Sequence, residues 1–126
     1  MKILLIEDHP TDRKLLSALL ISDGNRVVEQ SSAEEAFDAI RNDRPEMILL
    51  DLKLPGMDGV ELARCLKANA ETRNILIVAV TAAPEKFPME EALRAGCDAY
   101  NVKPVDTRKF AGQIAQAKNF SGDGRL

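Results

Sequence analysis

The sequence predicts an α/β domain in which a five-stranded parallel sheet is covered by helices on both faces. Two observations predict it. Short apolar runs alternate five times with longer stretches of helical period along the chain. The most apolar run, residues 75–80, is rich in branched side chains, as suits a strand buried on both sides. Successive βα units of this kind close into a doubly wound sheet with right-handed crossovers.

Each element follows from local signals. Residues 2–6 form a short apolar run that ends at Glu7 and Asp8. Residues 11–21 have helical spacing, with Leu15, Leu16, Leu19 and Leu20 on one side and Thr11 or Asp12 as the N-cap. Asp23-Gly24-Asn25 ends that helix through a left-handed glycine. Residues 26–30 read as a strand. Ser31 or Ser32 precedes a helix through Ala36, Phe37 and Ile40, with Ser32 and Glu35 spaced as a capping box, and Pro45 stops it. Residues 47–50 form a buried strand that delivers Asp51 at its end. Pro55-Gly56 makes a turn, and Asp58 caps the helix over residues 60–68. The run over residues 75–80 ends at Thr81. Pro84 and Pro88 constrain the next loop, and a short helix runs from about Pro88 to Ala95, with Gly96 beyond it. Residues 99–102 are the last strand. Residues 106–118 form the last helix, with Phe110, Ile114 and Ala117 inward. Residues 1–119 thus read as one domain, and 120–126 as a flexible tail or the start of a linker.

Composition narrows the function. The chain has 126 residues, enough for one domain that buries roughly two-thirds of its unfolded surface. A formal net charge of −3 offers no basic field for nucleic acid. No apolar run approaches the ~20 residues that span a bilayer, and the first run turns acidic too soon for a signal peptide. Cys65 and Cys97 lack the companions that a disulfide framework or zinc site needs, so both are expected as buried, reduced thiols. A cytoplasmic address follows.

In a doubly wound sheet, ligands gather outside the carboxyl ends of the strands, where strand order reverses. Those ends carry Glu7 and Asp8 (first strand), Asp51 (third), Thr81 (fourth) and Lys103 (fifth). Like charges ~4 Å apart repel by ~4 kcal/mol at an effective dielectric near 20, so three carboxylates need a counter-ion or a shared proton. Lys103 supplies one positive charge and a divalent cation the rest. Magnesium suits the set, because it accepts one or two carboxylates and keeps water and phosphate oxygens as its other ligands. A carboxylate beside such a metal, a lysine and a hydroxyl is equipped to receive a phosphoryl group. Asp51 would be the nucleophile, with Thr81 and the backbone N–H of Ala82 reaching phosphoryl oxygens. Any one of these acids alone could be a helix cap or a turn residue; five such groups at four strand ends point to a site.

In combination, the pair Glu7-Asp8, the segment Asp51-Leu-Lys-Leu-Pro-Gly-Met-Asp-Gly59, Thr81-Ala82 and Lys103-Pro104 resemble the response-regulator receiver family of two-component systems, including its stand-alone chemotaxis-type members. The similarity runs from about residue 2 to 118. It implies the flavodoxin-like (βα)5 fold, with strand order 2-1-3-4-5. It implies that Asp51 accepts phosphate from a sensor histidine kinase or a histidine phosphotransfer protein. It further implies magnesium (or manganese) held by Asp8, Asp51 and the carbonyl of Lys53, with Glu7 acting mainly through water. Lys103 would pair with the phosphoryl group, and the Lys103-Pro104 bond is often cis in such proteins. Thr81 and Tyr100 occupy the family's switch positions, and the output face would combine the fourth helix, last strand and last helix. A downstream protein, rather than nucleic acid or membrane, would be the partner. Lys53 and Ala83 lie where the family tunes phosphate lifetime. The implied role is signalling, with catalysis limited to the chain's own phosphorylation and slow dephosphorylation.

Three other readings compete with this one. A haloacid-dehalogenase-like phosphatase needs an aspartate two positions after its nucleophile, where this chain has Lys53. A flavodoxin-like cofactor protein needs a phosphate-cradling loop after the first strand, where Glu7-Asp8-His9-Pro10 is anionic. A receiver-shaped binding module that is never phosphorylated needs none of the five site groups. His9 fits a rim residue better than a magnesium ligand.

Overall fold

The computed structural model describes residues 1–122, with side chains up to residue 117. Its elements are β1 (Lys2–Ile6), α1 (Pro10–Ser22), β2 (Arg26–Gln30), α2 (Ala33–Asn42), β3 (Met47–Asp51), α3 (Gly59–Ala68), β4 (Leu76–Thr81), α4 (Met89–Arg94), β5 (Ala99–Val102) and α5 (Phe110–Gly122). The strands form one sheet in the order β2-β1-β3-β4-β5, and every pairing is parallel. Strand order reverses between β1 and β3. Their carboxyl ends therefore flank a crevice, and they carry Glu7 and Asp51 to it.

Period-two alternation sorts the strand side chains onto the two faces. Leu4, Ile6, Ile48, Leu50, Ile77 and Ala79 pack on one side with Ala36 and Ile40 of α2, Leu62 and Leu66 of α3 and Ala92 of α4. Ile3, Leu5, Met47, Leu49, Val78 and Val80 pack on the other with Leu16 and Leu20 of α1 and Phe110, Ile114 and Ala117 of α5. The central strand β3 is buried throughout.

Several local expectations shift. Helix α1 starts earlier than expected: His9, not Thr11 or Asp12, is the N-cap, accepting the Asp12 N–H at 3.4 Å. Pro10 explains the change, since at the first helical position its missing N–H costs nothing. The buried stripe of α1 is Leu16, Ser17 and Leu20, which leaves Leu15 exposed. Helix α5 begins at Phe110, because Asp106 closes a turn by accepting from the N–H groups of Arg108 and Lys109. The same helix continues to Gly122, beyond the expected helix end at residue 118; residues 123–126 of the expected tail lie outside the described residues. Cys97 is buried, but Cys65 is exposed, because α3 turns Leu62, Ala63 and Leu66 inward and Cys65 away. Ser32 caps α2, with the Glu35 N–H donating to Ser32 Oγ at 3.2 Å. The Glu35 carboxylate reaches back to the Ser31 N–H at 3.3 Å rather than to that of Ser32, so the capping box is only half formed.

The end of the sheet away from the crevice is clamped. Lys67, in the last turn of α3, donates to the carbonyls of Arg73 (3.0 Å) and Ile75 (2.9 Å) and to the Asp98 carboxylate (3.2 Å). Asp98 also accepts the Ile77 N–H at 2.9 Å, which ties the start of β5 to that of β4.

Gly59 sets how closely α3 approaches the site strand. A Cβ there would lie 2.7 Å from both the Asp51 carbonyl oxygen and the Leu52 Cα, and both are backbone atoms that cannot turn aside. Gly112, on the exposed face of α5, has nothing within 4 Å. Gly59→Ala is therefore expected to destabilise the protein by roughly 1–3 kcal/mol. Gly112→Ala should stabilise it by about 0.5–1 kcal/mol through helix propensity. Urea unfolding of the two variants checks these opposite signs.

Candidate functional site

The crevice is a cleft of about 420 Å³ whose lining includes Glu7, Asp8, Asp12, Asp51, Lys53, Ala82 and Lys103. Glu7 is fully buried at the end of β1, and Asp51 is almost so at the end of β3. Asp8 is exposed at the mouth. Each of the three offers a carboxylate oxygen, and these oxygens lie within 4.8 Å of one another.

Local structure holds each group in place. The Glu7 carboxylate accepts the His9 N–H at 3.1 Å, while Arg13 donates to the Glu7 carbonyl at 3.0 Å and the Asp8 carbonyl at 3.5 Å. Asp51 Oδ1 accepts the Lys53 N–H at 3.1 Å, which folds the chain back over the carboxylate. The following turn uses Gly56 at a φ of 69°, a left-handed conformation that favours glycine. Glu34 of α2 steadies this turn by accepting the Met57 N–H at 3.2 Å. Asp58 then caps α3 through the Glu61 N–H at 2.9 Å.

Lys103 enters from the end of β5, and its peptide bond to Pro104 is cis. Its ammonium donates to Glu7 at 2.5 Å, to Asp12 at 3.1 Å and to Asp51 at 3.4 Å. Thr81 is fully buried at the end of β4, and its hydroxyl accepts the Ala83 N–H at 3.0 Å. Tyr100 is half-buried on β5 and donates its hydroxyl to the Phe87 carbonyl at 2.6 Å. His9 stands at the rim as the cap of α1.

Glu7, Asp8, Asp51, Lys53, Ala82 and Lys103 thus share one cleft, and Thr81 ends the strand beside Asp51. Sequence reasoning treated Asp12 only as a possible cap. The structure makes it a fourth carboxylate of the cleft.

Electrostatics follow from this crowding. Burial first, then the hydrogen bond and charge of Glu7, push the Asp51 carboxyl up to about 7, against the opposing pull of Lys103 and the Lys53 N–H. Burial alone would lower the Lys103 ammonium; Glu7, Asp51 and Asp12 outweigh it and push the group up, so it stays charged. An all-oxygen carboxylate set in which the Asp51 carboxyl is pushed up fits a hard divalent cation such as magnesium, which would take the place of that proton.

Comparison with known proteins places the chain among the receiver domains. The response regulator receiver domain model matches residues 3–115, and the chain belongs to that family. Among its relatives is the polar-differentiation response regulator DivK of Brucella anthropi, 34% identical over 121 residues, covering 96% of each chain. The receiver domain of a sensor histidine kinase from Pseudomonas aeruginosa, with magnesium coordinated in its active-site cleft, is similar at 32% identity with a TM-score of 0.81. The match covers 91% of this chain and 93% of that one. A receiver domain protein from Clostridium thermocellum gives 26% identity and a TM-score of 0.84, covering 96% of each. Receiver domains are phosphorylation-dependent signalling modules that interact with histidine kinases and downstream proteins. Among the described residues, no helix is long and apolar enough to cross a membrane.

The raised Asp51 group makes stability depend on pH. Between about 4 and about 7 the folded chain binds more protons than the unfolded one, so metal-free stability falls as pH rises through that window and levels above it. Asp51→Asn removes the buried charge. At pH 8 without metal it should be more stable than the wild type by an amount on the order of 2 kcal/mol, and at pH 4 the gain should vanish. Thermal melting of both proteins across this range measures the effect.

Proposed function

We propose that the chain is a switch that takes a phosphoryl group onto Asp51, from a sensor histidine kinase or a histidine phosphotransfer protein, and changes which protein it binds. The observation that carries this is the placement of Asp51. It is a buried carboxylate at the mouth of the sheet, within reach of Lys103, with Glu7 and Asp8 at metal-ligand distance.

In this reading a carboxylate oxygen of Asp51 forms a bond to phosphorus as the bond from phosphorus to the donor's histidine nitrogen breaks, and the imidazole leaves with the electron pair. Lys103 moves from its carboxylate partners to a phosphoryl oxygen. The Ala82 N–H, at the exposed rim of the cleft, takes another. The Thr81 hydroxyl accepts from Ala83 and keeps its own proton to donate to a third. Asp8, Asp51 and the Lys53 carbonyl would hold magnesium or manganese, with Glu7 behind them through water. Bound there, the ion offsets charge on the phosphoryl oxygens. Water later cleaves the Asp51–phosphate bond and restores the carboxylate. Catalysis is confined to these two self-directed steps.

For output, Tyr100 and Thr81 act together, because the Tyr100 hydroxyl holds the loop that follows Thr81 at Phe87. The face formed by α4, β5 and α5 presents Met89, Leu93 and Val102 as exposed apolar side chains, chemistry suited to a downstream protein. The net charge of −3 argues against nucleic acid as that partner. Residues 1–119 constitute the working domain, in the cytoplasm.

With acetyl phosphate and magnesium, the wild type is expected to gain one phosphoryl group by intact mass, and Asp51→Asn none. Labelling of Asp51→Asn would falsify the assignment of the acceptor. Chelating the metal should reduce wild-type labelling by at least about tenfold, as loss of a charge-stabilising group does.

A further inference from the structure

The Lys103 ammonium has three protons and three carboxylate partners, and Asp51 is the most distant of them: Glu7 lies at 2.5 Å, Asp12 at 3.1 Å and Asp51 at 3.4 Å. Two of its bonds thus point away from the reacting group. Glu7 belongs to the set of oxygens that can surround a cation, together with Asp8 and Asp51. Asp12 does not. It stands in the first turn of α1, with its side chain 40% exposed at the outer edge of the cleft. His9 Nδ1 lies 3.8 Å from the same carboxylate.

We propose that Asp12 is a positioning residue that restrains Lys103 and so weakens the site's hold on a phosphoryl group. The inference rests on Asp51 being the acceptor. A lysine free of Asp12 can turn fully toward Asp51. A lysine shared with Asp12 must break that pair before it can serve the phosphoryl oxygens. Asp12 touches neither Asp51 nor the metal-ligand oxygens in the contacts described, so it acts through Lys103.

Beryllofluoride, a phosphoryl mimic, tests this by calorimetry at saturating magnesium on the full chain. Asp12→Asn should bind it about three- to fivefold more tightly than the wild type, the scale of a part-exposed ion pair. Asp12→Glu, which keeps the charge, should restore weaker binding. A lesion that merely loosened α1 would weaken binding instead. In a Lys103→Met background, verified as folded by a cooperative melt, the Asp12→Asn gain should disappear. An equal gain there would reduce Asp12 to a diffuse negative charge and overturn the proposal. A second measurement does not depend on that background: the ammonium nitrogen resonance of Lys103 should move on Asp12→Asn in metal-free protein, and an unmoved resonance also overturns it. If the wild type binds beryllofluoride and is labelled by acetyl phosphate, yet Asp12→Asn binds no more tightly, the Asp12 role alone fails. If the wild type does neither, the acceptor assignment fails with it.

Discussion

The site depends on one lysine that compensates buried carboxylates at the point where the sheet reverses its strand order. Glu7 and Asp51 are forced into proximity by the pairing of β1 with β3, and neither can retreat to water. Uncompensated, two such charges would oppose the very pairing that brings them together. Lys103 reaches across from β5 to meet both. The sequence distance between these partners, 96 and 52 residues, means that the charge balance exists only once the whole sheet is assembled. Fold and site are therefore linked: the sheet creates the electrostatic problem, and its last strand contributes the answer.

That balance is incomplete by design of the ligand set. Burial first, and then neighbouring Glu7, raise the proton affinity of Asp51 despite Lys103, so the pocket disfavours a bare negative charge there. A proton is one way to absorb it and a hard cation another. On the proposed reading a phosphoryl group would add further negative charge in the same place, and would need the cation and the lysine together. The carboxylates, the ammonium and the turn beyond Asp51 form a single arrangement, and Gly59 allows α3 to pack closely enough to hold it.

Much of this was legible in the sequence, because strand ends are marked by abrupt chemistry. The apolar runs stop at Glu7, Asp51, Thr81 and Lys103, and a parallel sheet gathers such ends at one rim. The Ser32 and Asp58 caps were legible for a local reason: each bonds to a backbone N–H three residues on. What escaped was set by helix phase. A cap at His9, two or three residues earlier than expected, left Asp12 inside the first turn as a cleft carboxylate, and the packed orientation of α1 left Leu15 in solvent. Cys65 was misjudged in the same way, since only the packed orientation of α3 shows which side faces out. The late start of α5 reflects Asp106, whose side chain favours a turn over helix.

The Lys67 clamp gives the sheet a fixed base. Because β4 and β5 are riveted together at their amino ends by Lys67 and Asp98, displacement of the opposite ends resembles the tip of a lever more than the sliding of a layer. Small changes at Thr81 and Lys103 would then be felt as tilt at the exposed edge of the sheet, while the interior beneath them stays in register.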